Sequence, residues 1–113
     1  MKLITAYVQP FMGEKITDAL RTAHVHGVTL LTCHGFGRIS EGETPRYLDE
    51  GTELGFVNKI KIEIVCVDVA VEETIAIIRD SAHTGHHGDG KIFISEVDTV
   101  VDIRTGNRGE DIL

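Results

Sequence analysis

The sequence is short of basic residues and of long apolar runs, and each shortage excludes a class of protein. It has 11 Lys and Arg against 18 Asp and Glu, so its formal net charge is −7. This balance argues against broad binding to nucleic acid or to an anionic membrane, because both attract a basic surface. No apolar stretch approaches membrane-spanning length, and the first residues lack the basic region and apolar run of a signal peptide. We therefore expect a cytoplasmic protein that holds any phosphate group locally.

Cysteine and metal-ligand sets are also scarce. The only two cysteines, Cys33 and Cys66, each lie in an apolar run typical of a strand, without a C-x-x-C spacing. This pattern favours buried thiols over a disulfide, a zinc site or a nucleophile. Six histidines are present, including the pair His86-His87, but no carboxylate or cysteine completes a metal site with them. We expect no metal site.

What the sequence does contain is enough apolar residues for one folded domain. Hydrophobic residues make up 42% of the chain and charged residues 26%, which is too apolar a composition for disorder. A chain of 113 residues fits one domain with a real core, although a domain of this size still gains from oligomerisation. We expect a single domain over residues 1–113.

Apolar periodicity predicts six main elements in the order βαββαβ. The run over residues 2–9 suits a strand buried on both faces, and Pro10 ends it. Alternation over residues 58–64 predicts a strand with a buried isoleucine face. Asp68 is placed to cap the second helix. The remaining predictions are a helix between Gly13 and Gly27, strands at 28–33 and 91–95, and a short strand-like piece at 99–103.

Two halves of this kind form a ferredoxin-like α+β fold, in which two helices cover one face of an antiparallel sheet. Lys59, Lys61 and Glu63 would share the face opposite the buried isoleucines. The uncovered face would also expose apolar strand residues to solvent. We therefore expect another subunit to cover that face, and hence an oligomer.

Residues 38 to about 55 form a long stretch without apolar periodicity, rich in Glu, Gly, Thr, Pro and Asp. Structureless loops of this length in compact domains are usually functional or disordered. The stretch is either a merely solvated loop or a loop that contacts a partner. Its length favours the partner-contacting role.

A second loop, Thr84-Gly85-His86-His87-Gly88-Asp89-Gly90-Lys91, lies between the second helix and the last strand. Its three glycines allow successive backbone N–H groups to turn inward, and Lys91 adds positive charge at the rim. This combination suits an anion, and phosphate is the natural candidate. The residue order matches neither a Walker loop nor the G-x-G-x-x-G fingerprint. A plain helix-to-strand connection is therefore the alternative.

Four stretches, taken together in their order and spacing, resemble the nitrogen-regulatory PII signalling family over nearly the whole chain. They are Gly35-Phe36-Gly37-Arg38, Lys59-Ile60-Lys61-Ile62-Glu63-Ile64, Thr84-Gly85-x-x-Gly88-Asp89-Gly90-Lys91-Ile92-Phe93 and Ile103-Arg104-Thr105-Gly106. The resemblance implies a homotrimer that holds an adenine nucleotide, either ADP, AMP or ATP, in clefts between subunits. It also implies a T-loop at about 38–55, a B-loop at about 83–91 and a C-terminal segment at 99–113. The T-loop would engage a target protein such as a membrane transporter or an enzyme.

Carried over position by position, the resemblance implies that the B-loop binds the phosphates and that Lys91 is the cation beside them. Arg104 would reach the phosphates from the C-terminal segment, and Lys59 would contact the terminal phosphates or an organic effector. No catalytic residue is implied. The implied nucleotide-binding residues are Thr29, Gly35, Gly37, Arg38, Glu63, Ile64, Gly85, His86, His87, Gly88, Asp89, Gly90, Lys91 and Arg104.

Three positions depart from the family's pattern. Ile39 stands where the family usually has a glutamine that helps to hold Mg²⁺ and 2-oxoglutarate, and a branched alkyl group cannot coordinate a hard cation. Asp102 stands at a commonly basic position, and His86 replaces a common lysine. Both changes remove positive charge near the phosphates, so they should penalise ATP more than ADP or AMP. We expect an atypical member, biased to nucleotides of lower charge and without the usual Mg²⁺.

Two other functions remain open for the same trimer. One is a sensor of bicarbonate or of a transition metal, because some PII-like proteins serve inorganic-carbon uptake or metal handling. The other is a weak nucleotide-hydrolysing enzyme, in which Asp89 or Glu63 would act on water. The sequence has no evident Ser/His/Asp set or pair of carboxylates for such chemistry. We therefore expect a regulator of nitrogen or carbon metabolism rather than an enzyme.

Overall fold

The computed structural model describes residues 1–36 and 57–113 of the chain. The elements follow the order βαββαβ, so the predicted ferredoxin-like α+β fold is confirmed. The expected T-loop lies outside the described residues. No helix in the described ranges is long and apolar enough to cross a membrane. The main elements are β1 (Lys2–Val8), α1 (Gly13–Thr22), β2 (Val28–Gly35), β3 (Val57–Cys66), α2 (Val71–Ala82) and β4 (Gly90–Glu96).

The strands form one antiparallel sheet in the order β2-β3-β1-β4. The central strand β1 pairs with β3, from Lys2 opposite Cys66 to Val8 opposite Ile60. On its other side, Val8 lies opposite Gly90, the first residue of β4. The register therefore places the end of β1 between the starts of β3 and β4.

The core lies between the two helices and one face of the sheet. The residues Ile16 and Leu20 of α1 are buried at the four-residue spacing that lines one side of a helix, and Ile78 of α2 packs with them. In β3 the alternation acts in the same way, because Ile62 and Ile64 are each only 1% exposed. The predicted isoleucine face is thus confirmed. Burial of each such side chain contributes about 1.5–3 kcal/mol to folding.

The opposite face of the sheet is open in the single chain. The rings of Tyr7 and Phe93 meet edge to face there, with centroids 6.1 Å apart. Phe93 is 54% exposed and Leu31 is 45% exposed. The prediction that β1 is buried on both faces is therefore wrong for the single chain, because no described element covers Leu3 and Tyr7. The expected cover by another subunit stays a prediction.

Asp68 does not cap α2, contrary to the prediction. A short 3-10 turn at Asp68–Ala70 separates it from the helix, whose N-cap position is Ala70 without a side-chain cap. Asp68 instead lies 3.0 Å from the Met1 amino nitrogen and 3.8 Å from the Lys2 ammonium. The hydrogen bond from the Met1 amino group lowers the pKa of the Asp68 carboxyl. This side chain therefore ties the start of β1 to the turn before α2.

The strand-like piece expected at 99–103 is not a strand. A single isolated bridge joins Val101 to Arg108 in this part of the described chain. Between them the chain reverses, and the Asp102 N–H donates to the Asn107 carbonyl at 2.8 Å. Gly106 permits this reversal because its φ is +74°, a conformation that favours glycine. The prediction failed because β-branched residues signal a strand even where a turn interrupts the ladder.

Candidate functional site

The sheet register gathers several expected site residues at one end of the molecule. β2 ends at Gly35, Lys59 lies near the start of β3, and the B-loop leads into Gly90 at the start of β4. Because neighbouring strands are antiparallel, these points lie at the same end of the sheet, beside the end of β1 at Val8. Residues distant in sequence thus meet around the B-loop.

Asp89 organises the first half of the B-loop from within. Its carboxylate accepts hydrogen bonds from the Thr84 N–H at 2.8 Å, from the Thr84 hydroxyl and from the Gly85 N–H at 3.0 Å. The His86 N–H donates in turn to the Thr84 hydroxyl oxygen at 3.2 Å. Asp89 is therefore an internal anion of the loop, and its carboxylate is already engaged by these donors.

These hydrogen bonds lower the pKa of the Asp89 carboxyl, the Thr84 hydroxyl having the largest effect. Because the pKa is lowered in the folded loop, the stabilisation is present above the unfolded value of about 3.9 and is lost as pH falls through the folded value. In an NMR pH titration we expect the Asp89 carboxyl carbon to titrate below the ordinary aspartate range. Thr84→Val should move the midpoint upward, whereas Thr84→Ser, which keeps the hydroxyl, should not. An ordinary midpoint in the unmodified protein would contradict this account.

The second half of the B-loop keeps free donors. The backbone N–H groups of His87 and Gly88 form no hydrogen bond within the part of the chain that the structure describes, whereas the Asp89 N–H closes a turn on the His86 carbonyl. The Lys91 ammonium likewise has no ion pair among those residues. Successive unpaired N–H groups beside a cation are what an anion site requires. The capacity to bind an anion thus lies at residues 87–91 rather than along the whole loop.

The Gly88 carbonyl attaches the B-loop to the sheet. It accepts hydrogen bonds from Gln9 Nε2 at 2.7 Å and from Lys59 Nζ at 3.3 Å. Lys59 was among the expected contact residues, but Gln9 was missed. The sequence signal was weak, since Gln9 is a single amide side chain between the last residue of β1 and Pro10. Nothing local in the sequence relates it to Gly88, which is 79 residues away.

The residues expected around the nucleoside lie farther along the sheet. Thr29 of β2 is opposite Glu63 of β3 on the open face. The Glu63 carboxylate lies 2.8 Å from the Lys61 ammonium, and this hydrogen bond raises the pKa of Lys61. The side chain of Ile64 points into the core and is 1% exposed, so only its main chain is available to a ligand. Gly37 and Arg38 lie outside the described residues.

Arg104 is not brought to the B-loop by this chain. The C-terminal segment is anchored at the opposite end of the sheet, where the Val97 N–H donates to the Met1 carbonyl at 3.1 Å. The guanidinium of Arg104 forms no hydrogen bond or ion pair with any described residue. Asp102 shapes the turn beneath it, since its carboxylate accepts from the Thr105 N–H at 2.9 Å, which lowers the Asp102 pKa.

The histidines form no metal centre in the described ranges. No group of three or more His, Cys, Asp or Glu side chains in residues 1–36 and 57–113 is placed to hold a metal ion. His86 and His87 are exposed on the B-loop. Both side chains therefore lie beside the donor groups of residues 87–91.

Comparisons with known proteins agree on one family. The family model described as nitrogen regulatory protein P-II matches residues 1–107. The chain is 42% identical to nitrogen regulatory protein P-II of Azospirillum brasilense over 113 residues, the full length of both chains. It is 44% identical to the protein of the same name from Mesorhizobium japonicum over 111 residues, 98% of each chain. It is 37% identical to nitrogen regulatory protein GlnK of Escherichia coli over 113 residues, again the full length of both.

Proposed function

This chain belongs to the nitrogen regulatory protein P-II family, and from that membership we propose a trimeric nucleotide sensor that controls a partner protein. Membership of this family makes the chain a regulatory protein. The proposal adds that the protein is cytoplasmic and that an adenine nucleotide binds between its subunits. It also adds that the T-loop, at about 38–55, contacts and controls the partner. The observation that carries it is the pair of free N–H groups of His87 and Gly88 near Lys91. A polyphosphate supplies the oxygen acceptors that these groups lack.

The assembly part of the proposal is supported by two features of the single chain. Its open sheet face exposes Phe93 and Leu31, and a second copy would bury them. The guanidinium of Arg104 lies on a segment anchored far from the B-loop of its own chain. A neighbouring copy could bring Arg104 to that loop, as the family resemblance implies. The nucleotide would then lie between two subunits.

The proposed preference is for ADP or AMP over ATP. His86 and Asp102 stand where the family commonly has basic residues, so the site offers less positive charge to a triphosphate. Asp102 also engages its carboxylate in its own turn and contributes no positive charge there. Ile39 lies outside the described residues, and its alkyl side chain supplies no ligand for Mg²⁺.

Of the alternatives, bicarbonate fits the same donors best. It is a small anion with three oxygens, and the N–H groups of His87 and Gly88 form a small group of unpaired donors. Hydrolysis fits less well. The Asp89 carboxylate is engaged by Thr84 and Gly85, and the Glu63 carboxylate is engaged by Lys61. A carboxylate whose oxygens are occupied by such donors is less available to accept a proton from water, which supports a regulatory role.

Isothermal calorimetry tests the proposal directly. We expect ADP to bind well below millimolar concentration and more tightly than ATP, with little effect of Mg²⁺ or 2-oxoglutarate. Light scattering should give three times the 12.4 kDa mass of one chain. Cyclic AMP and bicarbonate serve as comparison ligands, and product analysis after long incubation tests hydrolysis. If no adenine nucleotide binds below millimolar concentration, the nucleotide proposal fails.

A further inference from the structure

One carbonyl group carries the side-chain attachment of the B-loop to the strands. The Gly88 oxygen accepts from Gln9 at 2.7 Å and from Lys59 at 3.3 Å. Among the described residues, these two hydrogen bonds are the ones that side chains outside the B-loop donate to it. Gln9 follows β1 and Lys59 belongs to β3, so the loop is pinned to two neighbouring strands at one atom.

Holding that carbonyl also sets the direction of the next N–H group. The peptide bond between Gly88 and Asp89 is planar and trans, so its carbonyl and its N–H point in opposite directions. With the carbonyl turned toward Gln9 and Lys59, the Asp89 N–H points away from them. There it closes the turn at 87–88 on the His86 carbonyl, and this turn carries the unpaired N–H groups of His87 and Gly88. Gly88 has a φ of +97°, so the orientation depends on a backbone conformation that favours glycine.

The two donors differ in how they respond to an anion. Lys59 is charged and makes the longer contact, and an ammonium group gains more from an anionic oxygen than from a neutral carbonyl. Gln9 is a neutral amide with the shorter contact, so an anion gives it less reason to leave the Gly88 oxygen. Gln9 is therefore suited to hold the peptide while Lys59 turns to the ligand.

We propose that Gln9 is a positioning residue of the B-loop. By holding the Gly88 carbonyl it fixes the turn at 87–88, and with it the N–H groups of His87 and Gly88 that would bind an anion. Lys59 supports the same carbonyl in the free protein and moves to the anion on binding. The identity of the anion rests on the proposed nucleotide function. The hold on the carbonyl is a property of the free protein and can be measured without a ligand.

The test compares Gln9→Leu with Asn58→Leu. Asn58 is an exposed amide at the same end of the sheet, and its side chain has no hydrogen bond among the described residues, so its variant controls for loss of an amide. Without ligand, the ¹H–¹⁵N heteronuclear NOE of Gly88 and Asp89 should fall in Gln9→Leu and stay unchanged in Asn58→Leu. In the double variant Gln9→Leu/Lys59→Met it should fall further. The ADP dissociation constant should rise about threefold to tenfold in Gln9→Leu, as expected for one neutral hydrogen bond.

The outcomes separate this proposal from the nucleotide proposal. Unchanged NOE values in Gln9→Leu would overturn the hold on the carbonyl. Lower NOE values with unchanged ADP affinity would overturn the positioning role. If the NOE values fall in Gln9→Leu but the unmodified protein binds no ADP, the hold on the carbonyl is supported and the nucleotide proposal is overturned. If Gln9→Leu does not fold, Gln9→Met provides the same test, because it keeps the side-chain length, removes the donor and adds no charge.

Discussion

Gly90→Ala is expected to lower the free energy of unfolding by about 3–5 kcal/mol. A Cβ atom on Gly90 would lie 1.8 Å from the Tyr7 carbonyl oxygen and 3.3 Å from the Val8 Cα. Both atoms belong to the backbone of the central strand β1, so neither can rotate away. Gly90 also has a φ of +114°, which side-chain-bearing residues rarely adopt. Relief would require β4 to separate from β1 where the B-loop joins the sheet.

The matched control is Gly27→Ala. Gly27 has a φ of +69°, but a Cβ atom there would meet nothing within 4 Å. This variant therefore isolates the cost of the backbone conformation, which is about 1 kcal/mol. Chemical denaturation at one protomer concentration measures both, because the stability of an oligomer depends on concentration. Equal losses in the two variants would show that the collision with Tyr7 is not the dominant cost.

Lys91→Met is expected to weaken ADP binding by about tenfold to a hundredfold, which corresponds to one charge-assisted contact. Lys91 is exposed at the start of β4, shortly after the N–H groups that lack partners. Methionine keeps much of the aliphatic stem and removes only the charge. Added salt should weaken ADP binding to the unmodified protein more than to the variant, because salt screens the Lys91 charge, which the variant lacks. Calorimetry over a range of NaCl concentrations measures both effects.

Lys15→Met is the control for the change of net charge. Lys15 is exposed on α1 and has no ion pair among the described residues. It should leave the ADP affinity within about twofold of the unmodified protein, since an exposed and distant charge is largely screened. The same affinity in Lys91→Met and the unmodified protein would place the phosphates away from the B-loop. Equal weakening by both variants would point to overall charge rather than to a specific contact.

Much of the fold follows from patterns that are local in the chain. The alternation around Ile62 and Ile64 and the helical spacing of Ile16 and Leu20 identify the buried side chains without any knowledge of the neighbours. The errors arose where a local signal had two readings. Asp68 has the residue type of a helix cap, but a 3-10 turn moved it before the helix and toward the Met1 amino group.

The candidate site divides in the same way. Composition left two interpretations of the loop at 84–91, an anion site or a plain helix-to-strand connection, because glycine and lysine content is a local property of the chain. Only the tertiary structure showed that the Asp89 carboxylate engages the N–H groups of Thr84 and Gly85, which leaves the N–H groups of His87 and Gly88 as the free donors.

The sequence by itself determined the order of the elements, their buried faces and the position of the loop, since hydrophobic periodicity and backbone freedom act over a few residues. The tertiary structure alone decided which polar groups meet. Gln9 and Gly88 are 79 residues apart, and Lys59 and Gly88 are 29 apart. Their contacts depend on the register of β1 with β3 and β4, because one residue of slip would turn each side chain to the other face of the sheet.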